Sequence, residues 1–373
     1  MSLEKLAEVS RFYGANPDYV IAGGGNTSFK DKDFLYVKAS GTSLDRVKPG
    51  DFVKMNRAAL SAIWEKTYPA DHAAREAAVL EDIMAARCPG EENKRPSVET
   101  LLHDMLPYSY VVHTHPALVN GLTCSQDGEK AAKTLFPQAL WIPLINPGYI
   151  LSRAVKEALR AMIPGNNYPA IMVIILQNHG VFVAANTTEE IDKTYENIMG
   201  VLGKKIKKHP DFGNETAEYG NSETVKKEII NAAKKFDANV QWFIRFERNN
   251  MIAAYTAGET VFNPVSSVYS PDHMVYSGIP LYLSNIAGLE AAFKTYTADA
   301  GKAPKIIAVQ SLGVFSLANS EKAVGNALEL FRDTMRIAVY SGCFGGPRFM
   351  TAEMINFINN WEVEHYRSKV SEK

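Results

Sequence analysis

A ten-residue pattern occurs twice in this chain. Gln177-Asn178-His179-Gly180-Val181-Phe182-Val183-Ala184-Ala185-Asn186 returns at an offset of 133 (310 − 177) as Gln310-Ser311-Leu312-Gly313-Val314-Phe315-Ser316-Leu317-Ala318-Asn319. Gln, Gly, Val, Phe, Ala and Asn are identical in the two copies, and a helical pattern follows each. Self-similarity of this kind predicts duplicated architecture; a chance match of a short strand–turn–helix would look the same. The chemistry does not repeat, because His179 corresponds to Leu312.

His179 gains meaning from a second motif, His113-Thr114-His115-Pro116, at the end of the apolar run Tyr108-Ser109-Tyr110-Val111-Val112. Residues two apart on a strand point to one face, so His113 and His115 can aim both imidazoles at one point. Glu99 lies fourteen residues ahead of His113 (113 − 99). Three neutral imidazoles, an open position and a carboxylate are the makings of a catalytic zinc site. Two half-buried strand histidines bonded to backbone would read the same way from the pair alone.

The chain is 373 residues long, which predicts two domains. A formal charge of -1 excludes a global nucleic-acid-binding signature. Cys88, Cys124 and Cys343 are scattered without a C-x-x-C pair, which argues for a reducing compartment. The N-terminus lacks the apolar segment of a secretory signal. The longest apolar run, Ala170–Leu176, has strand length rather than membrane-span length. The expectation is a cytoplasmic protein with a small-molecule ligand, no nucleic acid and no membrane.

Along the chain, residues 2–14 predict a helix ending at Gly14, and Tyr19–Ala22 a strand. Gly23-Gly24-Gly25-Asn26-Thr27-Ser28 follows, then a strand over Phe34–Ala39 ended by Ser40-Gly41-Thr42. Glycines allow close backbone approach to a ligand, and small polar residues at both ends of a hairpin suggest an anion nest. Residues 55–87 read as helical. Pro96-Ser97-Val98-Glu99 opens a helix with Ser97 as N-cap, which places Glu99 on the same face as His103. Strands are expected at 141–145, 170–176 and 181–185, and helices at 151–162 and 188–203. Residues 204–224 lack periodicity and are the best boundary. The domains are therefore drawn at 1–203 and 225–373, with 204–224 as linker. Lys38, two residues before Ser40 and on the same strand face, reads first as a surface lysine and second as a cation for a bound anion; His103 reads as a hydrogen-bond partner behind the site, and Asp272-His273 as a turn.

In order, Gly25-Asn26-Thr27-Ser28, Ser40-Gly41, Pro96-Ser97-Val98-Glu99, His113-Thr114-His115-Pro116 and Asn178-His179-Gly180 resemble the class II aldolase/adducin family. A closer resemblance is to the aldolase module of bifunctional rhamnulose-1-phosphate aldolase/alcohol dehydrogenase proteins. It extends to Phe344-Gly345-Gly346-Pro347-Arg348 and Trp361-Glu362-Val363-Glu364. No G-x-G-x-x-G fingerprint is present, so dehydrogenase activity is not expected.

The resemblance implies an α/β/α sandwich with a predominantly antiparallel sheet, and the internal echo adds the expectation of a second related α/β domain, a degenerate duplicate that lost, or never had, the metal ligands. It implies zinc, or another divalent transition metal, on His113, His115 and His179. It implies a substrate-phosphate pocket on Gly25, Asn26, Thr27, Ser28, Ser40, Gly41 and Ser97, and Glu99 as the catalytic carboxylate. The implied reaction is reversible cleavage of a ketose 1-phosphate to dihydroxyacetone phosphate and an aldehyde, in a homo-oligomer. Dehydratase or epimerase chemistry on the same metal, or a non-catalytic sugar-phosphate-binding scaffold, are the alternatives. Two departures stand out. Val98 replaces a serine common in the family motif, and Leu144 stands where the proton-donating tyrosine is expected. Tyr149 is near that place, and Tyr276 and Arg348 are further candidates to complete a pocket.

Overall fold

The computed structural model describes residues 3–362, so Val363 and Glu364 of the tail motif lie outside it. The chain is a mixed α/β protein built on two sheets. The first holds β1 (Asn26–Lys30), β2 (Phe34–Lys38), β3 (Phe52–Asn56), β4 (Tyr110–Thr114), β5 (Leu140–Ile142), β6 (Met172–Leu176) and β7 (Gly180–Ala185). Their order is β3-β2-β1-β4-β7-β6-β5. Each adjacent pair is antiparallel except β5–β6, which is parallel. The second sheet holds β8 (Phe243–Glu247), β9 (Leu281–Leu283), β10 (Ile306–Val309) and β11 (Gly313–Ala318), in the order β8-β11-β10-β9.

The ten-residue echo is therefore an echo of topology. The second sheet repeats β4-β7-β6-β5 strand for strand, including the one parallel pair at its edge. Register repeats too: His113 pairs with Phe182 and Phe246 pairs with Phe315, each shifted by the same 133 (246 − 113 and 315 − 182). The turns ahead of β7 and β11 both use a left-handed residue, Asn178 at φ 54° and Ser311 at φ 58°. Such φ values are uncommon outside glycine, and asparagine tolerates them best.

Alternation along the strands sorts their side chains to two faces. Tyr110, Val112, Val181 and Val183 pack with Leu6, Tyr13, Ile191 and Tyr195 from the helices Leu3–Gly14 and Thr188–Gly203. Val111, Ile174, Phe182 and Ala184 pack on the opposite face with Leu102, Leu151, Val155 and Leu159 from the helices Thr100–Met105 and Tyr149–Met162. Helices on both faces make the α/β/α sandwich. Burying each Val or Leu side chain contributes about 1.5–3 kcal/mol, so both faces matter to stability. The second sheet is likewise covered on both faces, by Ile252, Val324 and Phe331 on one side and Val225, Ile229 and Phe293 on the other. The helix Glu321–Ser341 also closes on Ala117–Thr123 of the first half, so tightly that a Cβ on Gly121 would lie 2.4 Å from Tyr340 Cβ.

Several local expectations change. Tyr19–Ala22 forms turns, because Tyr19 N and Val20 N both donate to Asn16 O and Ala22 is left-handed at φ 52°. The first strand starts only at Asn26, so Asn26, Thr27 and Ser28 are strand residues. Phe52–Asn56, partly merged with the helical reading of 55–87, is β3, and Asn56 caps the helix Arg57–Ile63 behind it. The helix expected from Ser97 begins at Thr100, with Glu99 at its N-cap position. Thr187 caps the helix Thr188–Gly203 through a reciprocal bond with Glu190.

Candidate metal centre

His113 is the penultimate residue of β4 and is fully buried. Its ring lies against Phe182 on the neighbouring strand, with centroids 3.8 Å apart. Its Nδ1 is 3.0 Å from Val181 O, and a carbonyl can only accept, so Nδ1 carries the proton. His115 follows the strand, held by its backbone N–H to Tyr19 O at 3.0 Å. Its Nδ1 is 2.6 Å from Asp272 Oδ2, which fixes the same tautomer. His179 sits in the turn between β6 and β7. Asn178 beside it donates to Tyr269 O and Arg348 O at 2.9 and 2.8 Å, pinning that turn to the second half of the chain.

The three rings converge through Nε2. His115 Nε2 is 2.8 Å and His179 Nε2 is 3.4 Å from His113 Nε2. Because Nδ1 is the donor in His113 and His115, their Nε2 atoms face each other as lone pairs. That contact is repulsive unless a cation lies between them. Protonation is a poor substitute, since burial pushes the His113 imidazole well below the usual histidine range and pushes His179 down to about 3. Glu99 completes the charge pattern. It is 4% exposed, with Oε2 3.5 Å from His113 Nε2 and Oε1 3.8 Å from His179 Nε2. Oε1 is buried with no hydrogen-bond partner among the described residues. A buried carboxylate oxygen without a donor is costly, and a cation beside it removes that cost. Three neutral nitrogen ligands and an unsatisfied carboxylate oxygen therefore fit a divalent metal.

Behind Glu99 runs a chain of bonds that orients it. Asn26 Nδ2 donates to Glu99 Oε2 at 2.7 Å, and Asn26 Oδ1 accepts from His103 Nε2. His103 Nδ1 in turn accepts from Ser28 Oγ at 2.7 Å. His103 is fully buried, and burial holds its imidazole well below the usual range, consistent with the neutral tautomer this chain requires.

A narrow cleft of about 50 Å³ opens beside the histidines, smaller than the roughly 300–1,000 Å³ usual for ligand pockets. Gly25, Asn26, Ser40, Gly41 and Ser97 line it together with Glu99, His115 and His179, so the structure brings these expected residues together. A Cβ on Gly25, at φ 64°, would lie 2.7 Å from His113 O, which is why this position takes no side chain. Thr27 and Ser28 are not brought to the cleft. Thr27 Oγ1 bonds Ser10 Oγ on the far side of β1, and Ser28 serves His103. The backbone nest is also smaller than expected, since Gly24 N and Ser40 N are committed to Ile21 O and Arg95 O.

Two residues carry more than their sequence context suggested. Lys38 is not a surface lysine: it is 3% exposed, lines the cleft, and donates to Thr42 O at 2.7 Å. Its place on β2 next to Ser40-Gly41 was the available signal. Asp272 is not in an isolated turn but in the short helix Pro271–Tyr276, beside His115. No local pattern announces that, because its partner is 157 residues away. Tyr149 is excluded from the cleft. Its ring packs between Trp64 and Tyr68. Val98 lines the cleft where a hydroxyl was expected, and Leu144 packs with Tyr276 and Met354.

Residues 4–200 match the family described as Class II Aldolase and Adducin N-terminal domain. The chain is 27% identical over 309 residues to the uncharacterized oxidoreductase YuxG of Bacillus subtilis (strain 168), a match covering 75% of this chain and 42% of that protein. The chain thus spans less than half the length of that relative. Among solved structures, the N-terminal class II aldolase domain of a conserved protein from Thermoplasma acidophilum is 26% identical. It covers 55% of this chain and 93% of its own, with a TM-score of 0.46. The l-fuculose-1-phosphate aldolase of Thermus thermophilus is 18% identical, covering 53% of this chain and 88% of its own, with a TM-score of 0.33.

Proposed function

The chain belongs to the class II aldolase and adducin family, and on that premise we propose that it is a zinc-dependent aldolase that reversibly cleaves a ketose 1-phosphate, of the rhamnulose or fuculose type, into dihydroxyacetone phosphate and an aldehyde. The observation that carries this reading is the buried, unbonded Oε1 of Glu99 facing three imidazoles whose Nε2 atoms converge. A purely structural cluster would leave that oxygen a donor.

His113, His115 and His179 would hold the metal, which when bound supplies Lewis-acid stabilisation of negative charge on adjacent substrate oxygens. Glu99 is placed to move the proton at the carbon that loses the aldehyde, as general acid and base. Asn26 keeps its carboxylate aimed, and the low exposure of Glu99 keeps water from competing for that proton. Lys38, Ser40 and Ser97 supply a cation and two hydroxyls on the cleft wall for the phosphate, and holding it orients the reacting carbon. The absence of a hydroxyl at Val98 leaves that grip to fewer groups.

In the same reading the second half is a metal-free counterpart of the first. Phe246 and Leu312 stand at the positions of His113 and His179. A homo-oligomer acting in the cytoplasm completes the proposal. The test is to incubate zinc-loaded protein with a panel of ketose 1-phosphates and measure dihydroxyacetone phosphate. Release that depends on metal and is lost in Glu99→Gln supports the proposal. Absence of release across the panel, with zinc bound, overturns it.

A further inference from the structure

Asp272 comes from the half of the chain whose described residues hold no metal-binding cluster, yet its Oδ2 lies 2.6 Å from His115 Nδ1. The Asp272 side chain is 6% exposed and that of His115 is 10% exposed, so the contact is largely shielded from water. We infer that Asp272 is the positioning residue of the metal centre: it holds His115 in the Nδ1–H tautomer with Nε2 presented to the metal, so that metal affinity depends on the second half of the chain. The inference rests on the metal reading above and adds to it the residue that sets how tightly the site binds.

Three independent features support this. The first is the chemistry of the pair. Of the three imidazoles, His113 is oriented by a backbone carbonyl, whereas His115 is oriented by a carboxylate. A carboxylate on the distal nitrogen fixes the ring and makes the proximal nitrogen a better donor to a metal. The second is the anchoring of the helix Pro271–Tyr276. His273, the next residue, is 1% exposed and bonds Ser270 Oγ through Nδ1 at 2.7 Å. Its Nε2 is 3.3 Å from Asp333 Oδ2 on the helix Glu321–Ser341. Asp272 is therefore delivered by a helix tied into the core of the second half rather than by a loose turn.

The third is the glycine loop. A Cβ on Gly24 would lie 2.5 Å from Asp272 Oδ2 and 3.2 Å from His115 Nδ1. Gly24 is the gap through which the carboxylate reaches the ring. Its backbone N–H is already used by Ile21 O, so anion binding does not explain it. One residue of the glycine run is thus accounted for by the approach of the second half.

The probe is Zn²⁺ itself, titrated against a chelator of known affinity into metal-free protein. Wild type is compared with Asp272→Ala, Asp272→Asn and Gly24→Ala, with folding followed by circular dichroism. Asp272→Ala is expected to weaken zinc binding by about 10–100-fold. Asp272→Asn, which keeps an acceptor oxygen, should recover part of that loss. Gly24→Ala should weaken binding without removing any polar group. Independently of all variants, ring-nitrogen NMR of wild-type protein should show the His115 proton on Nδ1. Wild type that takes up no zinc overturns the metal centre and this inference with it. Wild type that binds zinc, with folded Asp272→Ala and Gly24→Ala binding equally well, overturns this inference alone. A His115 proton found on Nε2 does the same.

Discussion

The ring of Phe182 lies flat on the imidazole of His113, with centroids 3.8 Å apart and planes 12° from parallel. The two residues are register partners on β7 and β4. At the equivalent place in the second sheet, Phe315 pairs with Phe246, and the rings tilt 47° at 5.0 Å. The same framework holds one histidine of the three-imidazole cluster in one sheet and an ordinary aromatic pair in the other. Phe182 is fully buried, so Phe182→Ala should lower stability by about 3–5 kcal/mol. It should also weaken zinc binding by freeing the His113 ring. Denaturant unfolding with a parallel zinc titration would test both, and wild-type zinc affinity in the folded variant would show that Phe182 only fills space.

Asn26 links the Glu99 carboxylate to a buried histidine, donating to Glu99 Oε2 and accepting from His103 Nε2. In Asn26→Ala the remaining Glu99 oxygen loses its donor. A lost bond to a charged group is worth about 1.5–3 kcal/mol. The expected result is a kcat reduced by roughly 10–100-fold with zinc content retained. Steady-state kinetics alongside elemental analysis would check it; an unchanged kcat would remove Asn26 from its orienting role.

Lys38 and Val98 share the cleft wall. If the cleft holds phosphate, Lys38→Met should raise KM for phosphorylated ketoses by at least about tenfold, since charge-assisted hydrogen bonds are roughly twice as strong as neutral ones. It should leave KM for the unphosphorylated sugars unchanged. Val98→Ser should lower KM for the phosphorylated substrate. Equal effects on both substrate types would mean that Lys38 is structural, holding Thr42 O.

Lys30 is 5% exposed, and its Nζ donates to His103 O at 2.7 Å. Burial lowers its pKa to about 7, against an ordinary value of 10.5, although Asp104 opposes the shift. The folded pKa lies below the unfolded one, so above pH 7 the unfolded chain holds a proton that the native state has released. Stability contributed by this group therefore rises with pH from about 7 toward 10. Denaturant unfolding of wild type minus Lys30→Met, between pH 7 and 9.5, should show that slope in the difference. A flat difference would contradict it.

The three-histidine cluster and the sandwich could be read from the sequence because each rests on local periodicity: alternation along β4 and β7, and a recurring strand–turn–helix. What was missed depends on contacts distant in the chain or on local backbone geometry. Tyr19–Ala22 looked like a strand, but Asn16 accepts two of its N–H groups and turns it. Thr27 and Ser28 carry the right side chains, yet β1 aims one away from the cleft and binds the other to His103. Lys38 reads first as exposed because lysines usually are, and the folded chain buries it with its ammonium on Thr42 O and Gly23 O. Asp272 becomes part of the site only when two halves of the chain meet.

The most direct test is metal content. Purified wild-type protein, stripped and reloaded with Zn²⁺, should carry about one ion per chain by elemental analysis, whereas His179→Ala, folded by circular dichroism, should lose it. A wild-type protein that takes up no divalent metal, or a folded His179→Ala variant that keeps it with unchanged affinity, would contradict the account.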